Sequence, residues 1–374
     1  MNRLLFFSLL FFVLLLEIFL PRWGDLEISL RPQKVLFLSK YQVGTSYVNA
    51  IGKLNVQADS EDPNDYSGLT VPFRLGLYYG FHDRDLNLLS FDVLRGQLPL
   101  SHQILGRDFY LDFSGEPGYV VIRDVARREI GRFPGSANAH IVKNTIYQFR
   151  NEGHSLYRYN RKGEPEWRSD LLPYISGLDN NVLGDTLISY VNGRVILLNQ
   201  EGKLDNEYIS SGSRINSVYG VALSTDSQNI ALIAGLDRQR FVFLKKQQGT
   251  YLFQYAKELP NQLRNSQWLS FSDYNPYVFY NSSAGISVYD FRYEENRLYR
   301  EGGYLNQFGE QEESDIQFFV FGSDEGGSLI GIHGTKGELL RLQLRGHDYS
   351  LQVQGDTMYF GQDNLIASYR TEYL

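Results

Sequence analysis

The sequence predicts an all-β chain: a single β-propeller of seven or eight four-stranded blades, with eight expected, behind one N-terminal apolar helix. Three observations carry this reading. Short β-rich segments closed by Asn- or Gly-bearing turns follow one another along the chain. The turns recur at roughly forty residues, the length of four short strands. Tyr at 27, Phe at 24 and Gly at 35 of 374 residues supply cross-strand aromatic pairs and tight turns.

The chain opens on Met1-Asn2-Arg3 and an apolar run from Leu4 to Leu20 whose one charge is Glu17. At the helical rise this run spans roughly 25 Å, enough to cross a bilayer core with some thinning. Residues 1–23 therefore read as a transmembrane helix and signal anchor, and residues 24–374 as the propeller. No small-residue cleavage site surrounds Phe19 to Trp23, which favours an uncleaved anchor over a removed signal peptide. Arg22 and Trp23 suit the membrane interface. Basic residues flank both ends of the run, so orientation rests on the habit of short leaders to export the β domain behind them.

Asp185 to Tyr208 shows the repeating unit most clearly: Thr186 to Tyr190, a turn at Asn192-Gly193, Arg194 to Leu198, then Asn199-Gln200-Glu201-Gly202-Lys203 into Leu204. Taking the polar residue that opens such a turn as the anchor gives Asn49, Asp92, Asp124, Asn160, Asn199 and Asp290. A degenerate copy lies at Lys245 to Gly249, and a further turn at Arg345 to Asp348. The expected blades are 34–57, 70–101, 108–133, 140–168, 182–209, 215–257, 267–300 and 315–354. Two segments remain, Thr357 to Gly361 and Leu365 to Tyr369. They are expected to pair with N-terminal strands, so that the ring closes without a free edge.

Two stretches carry family resemblances. Tyr159-Asn160-Arg161-Lys162-Gly163-Glu164-Pro165-Glu166-Trp167 resembles the Gly-x-x-x-Trp docking repeat of pyrroloquinoline-quinone-type propellers. That resemblance implies that Trp167 wedges between neighbouring blades. Val221 to Ala231 is similar to the Ser-Pro-Asp-Gly turn of tryptophan-aspartate-repeat and Tol-system propellers, with Thr225 in place of Pro and Ser227 in place of Gly. Each match covers about one blade and supports the superfamily without selecting a member. Quinone-dependent dehydrogenases would add a ring of cofactor-binding residues, and the sequence places none. No cofactor is expected.

Chemistry is thinly marked. The chain has no cysteine, which excludes disulfides, thiolate metal sites and a cysteine nucleophile. A net charge of -7 argues against a general nucleic-acid binder. His82, His102, His140, His154, His333 and His347 are scattered without ligand spacing. Asp59 to Asp65, and the group Glu310, Glu312, Glu313 and Asp315, read as solvated acidic loops. Ser323 to Gly327 reads as a hairpin turn. Arg123, Arg127, Arg128 and Arg132 form a candidate basic patch for an acidic partner, against the alternative of an ordinary solvated turn. Tyr78, Tyr79, Trp268, Tyr274 and Tyr277 read as packing or rim residues.

The expected function is a membrane-anchored, extracytoplasmic scaffold that binds an envelope or membrane protein. The alternatives are an extracytoplasmic glycan hydrolase or lyase, a quinone-dependent dehydrogenase, or a small-ligand sensor using the central channel.

Overall fold

Eight antiparallel sheets succeed one another along the chain, each short enough to be one blade. The computed structural model describes residues 28–38, 47–48, 69–93, 104–113, 117–135, 138–170, 174–260, 264–312, 314–324, 326–363 and 365–373. The leader, including Arg22 and Trp23, and the loop with Asn49 and Asp59 to Asp65 lie outside these residues.

Strands β1 (Ile28–Phe37) and β2 (Tyr47–Val48) come first and serve different blades. Blade 1 is β3 (Thr70–Leu75), β4 (Tyr78–Asp83) and β5 (Leu88–Val93), with β2 added outside β5. Blade 2 is β6 (Phe109–Asp112), β7 (Tyr119–Asp124) and β8 (Glu129–Pro134). Blade 3 is β9 (Ala139–Val142), β10 (Thr145–Arg150), β11 (Ser155–Tyr159) and β12 (Pro165–Asp170). Blade 4 is β13 (Ile175–Asn180), β14 (Thr186–Tyr190), β15 (Arg194–Leu198) and β16 (Leu204–Ile209). Blade 5 is β17 (Val218–Leu223), β18 (Asn229–Ala234), β19 (Arg240–Gln247) and β20 (Thr250–Glu258). Blade 6 is β21 (Leu269–Phe271), β22 (Tyr277–Ser282), β23 (Gly285–Asp290) and β24 (Glu295–Arg300). Blade 7 is β25 (Tyr304–Glu310), β26 (Ile316–Ser323), β27 (Gly326–His333) and β28 (Gly337–Leu344). Blade 8 is β29 (Tyr349–Gln354), β30 (Thr357–Gln362) and β31 (Leu365–Tyr373), completed by β1.

The ring closes through β1, paired antiparallel to β31 from Ile28↔Tyr373 to Phe37↔Leu365, whereas Thr357 to Gly361, also expected to pair with an N-terminal strand, lies inside the blade as part of β30, between β29 and β31. The blade count matches the expectation of eight, but the expected frame slips at both ends. Residues 34–57 are not a blade, because they contribute β1 and β2 to blades 8 and 1. Residues 315–354 straddle blades 7 and 8. Among the described residues, blade 2 has three strands rather than four. A short segment, Ile104 to Gly106, takes the first place there, through Leu111 N to Ile104 O at 2.9 Å and Gly106 N to Phe109 O at 2.8 Å.

Packing explains why the strands look as they do. The buried apolar residues fall into eight clusters, one in each gap between successive blades. Leu187, Val195 and Leu197 of blade 4 meet Val221 and Leu232 of blade 5. Leu36 of β1 meets Val71, Phe73, Tyr359 and Ile366 between blades 8 and 1. Both faces of every middle strand are covered, so β14 and β18 are buried at every residue and lack strand alternation, whereas outer strands such as β16 alternate.

The polar anchors have a local physical cause. Asn199 Oδ1 accepts from Glu201 N and Lys203 N, and Asn160 Oδ1 from Lys162 N and Glu164 N, all at 2.9–3.0 Å. Each side chain satisfies the backbone of the turn between third and fourth strands. Asp83 bonds Asp85 N and Asn87 N in the same local way, in the turn between β4 and β5 of blade 1. Asp92 instead lies on β5 and takes Arg127, so the anchor of blade 1 is Asp83. Within a blade such as blade 3 or 4, antiparallel pairing puts the turn between third and fourth strands, and that between first and second strands, on one side of the ring. This is the upper face, and the remaining turns form the lower face.

Candidate functional site

The first strands of successive blades, and the turns beside them, are stitched together by polar side chains. Asp179 ends β13 with its carboxylate 3.0 Å from Lys143 Nζ of blade 3 and accepts from Leu223 N of blade 5 at 2.8 Å. Burial raises its pKa, and Lys143 and the backbone donors oppose that shift. Gln307 of blade 7 donates to Tyr349 O at 2.9 Å and accepts from Leu351 N at 2.8 Å in blade 8. Gln354 donates to Thr70 O of blade 1 at 2.9 Å.

Glu310, at the end of β25, departs from the expected solvated loop. It accepts from the Ser272 hydroxyl, from Asp273 N at 3.1 Å and from Gln317 Nε2 at 3.4 Å. Desolvation pushes its carboxyl up to about 7, with the Ser272 and backbone bonds opposing. Gln317 also donates to Asp315 Oδ1 at 3.1 Å, while Tyr277 OH donates to Asp315 Oδ2 at 3.2 Å. His333 Nδ1 sits 3.8 Å from Asp315, yet burial lowers its pKa. The cluster can store a proton near neutrality. Its carboxylates are already engaged by the protein's own donors, and among the described residues no group of His, Cys, Asp or Glu is arranged to hold a metal ion.

The four arginines of the candidate basic patch all carry carboxylate partners. Arg123 pairs with Asp112 at 2.7 Å, Arg127 with Asp92, Arg128 with Asp124 at 2.6 Å and Arg132 with Glu129 at 2.6 Å. Arg123 is on β7, Arg132 on β8, and Arg127 and Arg128 are in the turn between them. Trp167, on the outer strand of blade 3, packs with Tyr147 and Leu156 of its own blade and with Ile188, Tyr190 and Ile196 of blade 4. Tyr79 and Tyr277 are buried, and Tyr274 is exposed at the upper rim.

A different surface stands out on the lower face of blade 4. Tyr174, Val191, Ile209 and Ile215 are exposed, Tyr174 at 74% and Ile209 at 66%. They converge on the turn between β14 and β15. Val191 N donates to Tyr174 O at 3.0 Å, Arg194 pairs with Ile209, and Ser210 N donates to Gly193 O at 2.9 Å. Asn216, next to Ile215, abuts Gly193. Tyr174 has φ 67°, an unfavourable conformation for a bulky side chain, which turns its ring outward. No motif in the sequence marks these residues. Their signal is apolar side chains at turn positions, such as Val191 directly before Asn192-Gly193.

Other proteins resemble this chain in sequence or in structure. An uncharacterized protein of Treponema pallidum (strain Nichols) is 25% identical over 177 residues, 47% of this chain and 47% of that protein, so the match spans about half the relative's length. The structure of apo AztD from Citrobacter koseri is similar at 14% identity and a TM-score of 0.52, over 79% of this chain and 88% of that one. BamB from Moraxella catarrhalis matches at 13% identity and a TM-score of 0.44, over 74% and 98%. These structural likenesses concern the fold alone. The family described as beta-propeller protein matches residues 2–372, nearly the whole length, and the chain, with its eight blades, belongs to that family.

Proposed function

We propose that this chain is a protein-binding scaffold, tethered to a membrane by residues 1–23 and presenting its propeller outside the cytoplasm to an envelope or membrane protein partner. The observation that carries the reading is the exposed apolar group Tyr174, Val191, Ile209 and Ile215 on the lower face of blade 4. Exposed apolar side chains clustered on one turn are a property of interaction surfaces. The apolar leader supports the tether, with Arg22 and Trp23 at the interface.

A photo-cross-linking residue at position 174, in intact cells, should yield one discrete adduct. One at Glu201 on the upper face should not. Ile209→Asp should abolish the adduct without loss of the fold. Equal adducts at both positions, or an adduct unaffected by Ile209→Asp, would refute the reading. Gln248 lies in an exposed turn of blade 5 and the chain has no cysteine, so labelling of Gln248→Cys by a membrane-impermeant thiol reagent reads the side of the membrane directly.

A further inference from the structure

Outer strands leave a row of backbone N–H and C=O groups open to pairing, and proteins blunt such edges with short strands, prolines or bulges. Among the described residues, seven of the eight blades show one of these devices. Blade 1 ends in the two-residue strand β2. The outer strands of blades 2, 3, 4, 5 and 7 each carry a bulge, with Ile130, Glu166, Asp205, Gln254 and Leu339 as the extra residues. In blade 8, β1 is interrupted between Pro32 and Lys34. Blade 6 has none of them. Its outer strand β24 pairs with β23 without interruption from Asp290↔Glu295 to Gly285↔Arg300 and contains no proline.

The side chains on this edge also differ from a solvated rim. Leu298 is 39% exposed in mid-strand, and Tyr293 and Tyr304 stand exposed beyond its two ends. Side chains tie the strand to its neighbours: Arg297 Nη1 donates to Gly334 O of blade 7 at 2.6 Å, Asn296 Nδ2 donates to Tyr280 OH, and Arg341 Nη2 of blade 7 donates to Arg300 O at 3.2 Å. Arg300 is exposed and makes no ion pair among the described residues, whereas Arg297 has Glu295 at 3.0 Å. Leu298 and Arg300 are two apart and share a face of the strand.

We infer that the outer edge of blade 6 accepts an extended segment of another protein as an added β-strand. The segment would place an apolar residue beside Leu298 and a carboxylate beside Arg300. Backbone pairing supplies the affinity, and these two side chains supply selectivity. The inference is independent of the blade 4 surface.

The test uses the full chain in detergent and a fluorescent octapeptide, Thr-Val-Glu-Val-Thr-Val-Glu-Thr, titrated by anisotropy to about 1 mM. Saturable binding is expected, weakened about fivefold by Leu298→Lys or by Arg300→Glu. Arg300→Glu should be rescued by a peptide with Lys in place of Glu. The outward-facing amides of Asn296, Leu298 and Arg300 should exchange more slowly with peptide bound, and Ile209→Asp should leave peptide binding unchanged. Both variants are at exposed positions, and circular dichroism checks their fold. No binding by the wild-type chain, or binding insensitive to both variants, would overturn the inference. So would a dimer abolished by Leu298→Lys, because that result assigns the edge to a second copy.

Discussion

The indole of Trp167 in blade 3 lies directly over Gly202 in the turn between β15 and β16 of blade 4. A Cβ at Gly202 would fall 2.6 Å from Trp167 Cδ2, and Gly202 has φ 74°. The ring therefore needs both the missing side chain and the left-handed turn. Gly202→Ala is expected to cost about 2 kcal/mol, from strain plus displacement of the ring. Trp167→Ala should cost about 3–5 kcal/mol by opening the gap between the two blades. Urea unfolding of the two single variants and the double variant checks this, because the costs should be markedly non-additive if they report one contact.

That contact shows how much of the fold was legible in the sequence. Asn160 and Asn199 could be read as anchors because their side chains bond backbone two and four residues on, a purely local requirement. The frame at the N-terminus could not be read the same way. Asp92 and Asp83 are both acidic residues near strand ends, and only the pairing of β4 with β5 shows which one closes the turn. The site was less legible still. Glu310 reads as one of several solvated acids until Ser272 and Asp273, distant in sequence, are brought against it. Arg123, Arg127, Arg128 and Arg132 look like free positive charge until Asp112, Asp92, Asp124 and Glu129 are seen beside them.

His82 makes the fold acid-sensitive. Its Nδ1 is 2.7 Å from Asp83 O, its Nε2 is buried without a partner, and its ring stacks between Phe73 and Tyr359. Desolvation lowers its pKa from 6.5 to about 4. Between those values the unfolded chain holds more protons than the folded one. Stability is therefore fully present above 6.5 and lost as pH falls toward 4, by about 3 kcal/mol. His82→Phe should flatten this part of the profile. The His82 ring proton should keep one NMR shift from pH 5 to pH 8.

Glu310 acts in the opposite direction. Unfolded it ionises near 4.5, folded near 7, so between these values the folded chain holds the extra proton. Its contribution is fully present below 4.5 and lost as pH rises through 7, by about 3 kcal/mol. Glu310→Gln removes the ionisation while keeping an acceptor for Ser272. Relative to wild type, the variant should gain stability from pH 5 to pH 8 in paired urea titrations, and a constant difference would contradict the assignment.

Among the described residues, Lys143 is the charged side chain that pairs with Asp179. Lys143→Met would leave that carboxylate with backbone donors alone. The lysine is itself partly exposed, so the expected loss is about 2 kcal/mol rather than that of a fully buried pair. Lys143→Met combined with Asp179→Asn should recover part of the loss, measured by denaturant unfolding.

Closure of the ring rests on a strand that follows the leader directly. Leu36 pairs with Ile366 and is buried against Val71, Phe73 and Tyr359, whereas its neighbour Val35 pairs with Ala367 and is 46% exposed. Alternation along β1 thus sends one residue into the gap between blades 8 and 1 and the next into solvent. Leu36→Asp would put a carboxylate into that gap without a partner and should cost about 3 kcal/mol or more, while Val35→Asp should change stability by about 0.5 kcal/mol or less. Hydrogen exchange can locate the effect. In Leu36→Asp, amides of β31 should lose protection before those of β18, because blade 8 depends on β1 for its outer strand and blade 5 is continuous in sequence. Uniform loss across all blades would mean that the ring opens cooperatively rather than at its closing strand.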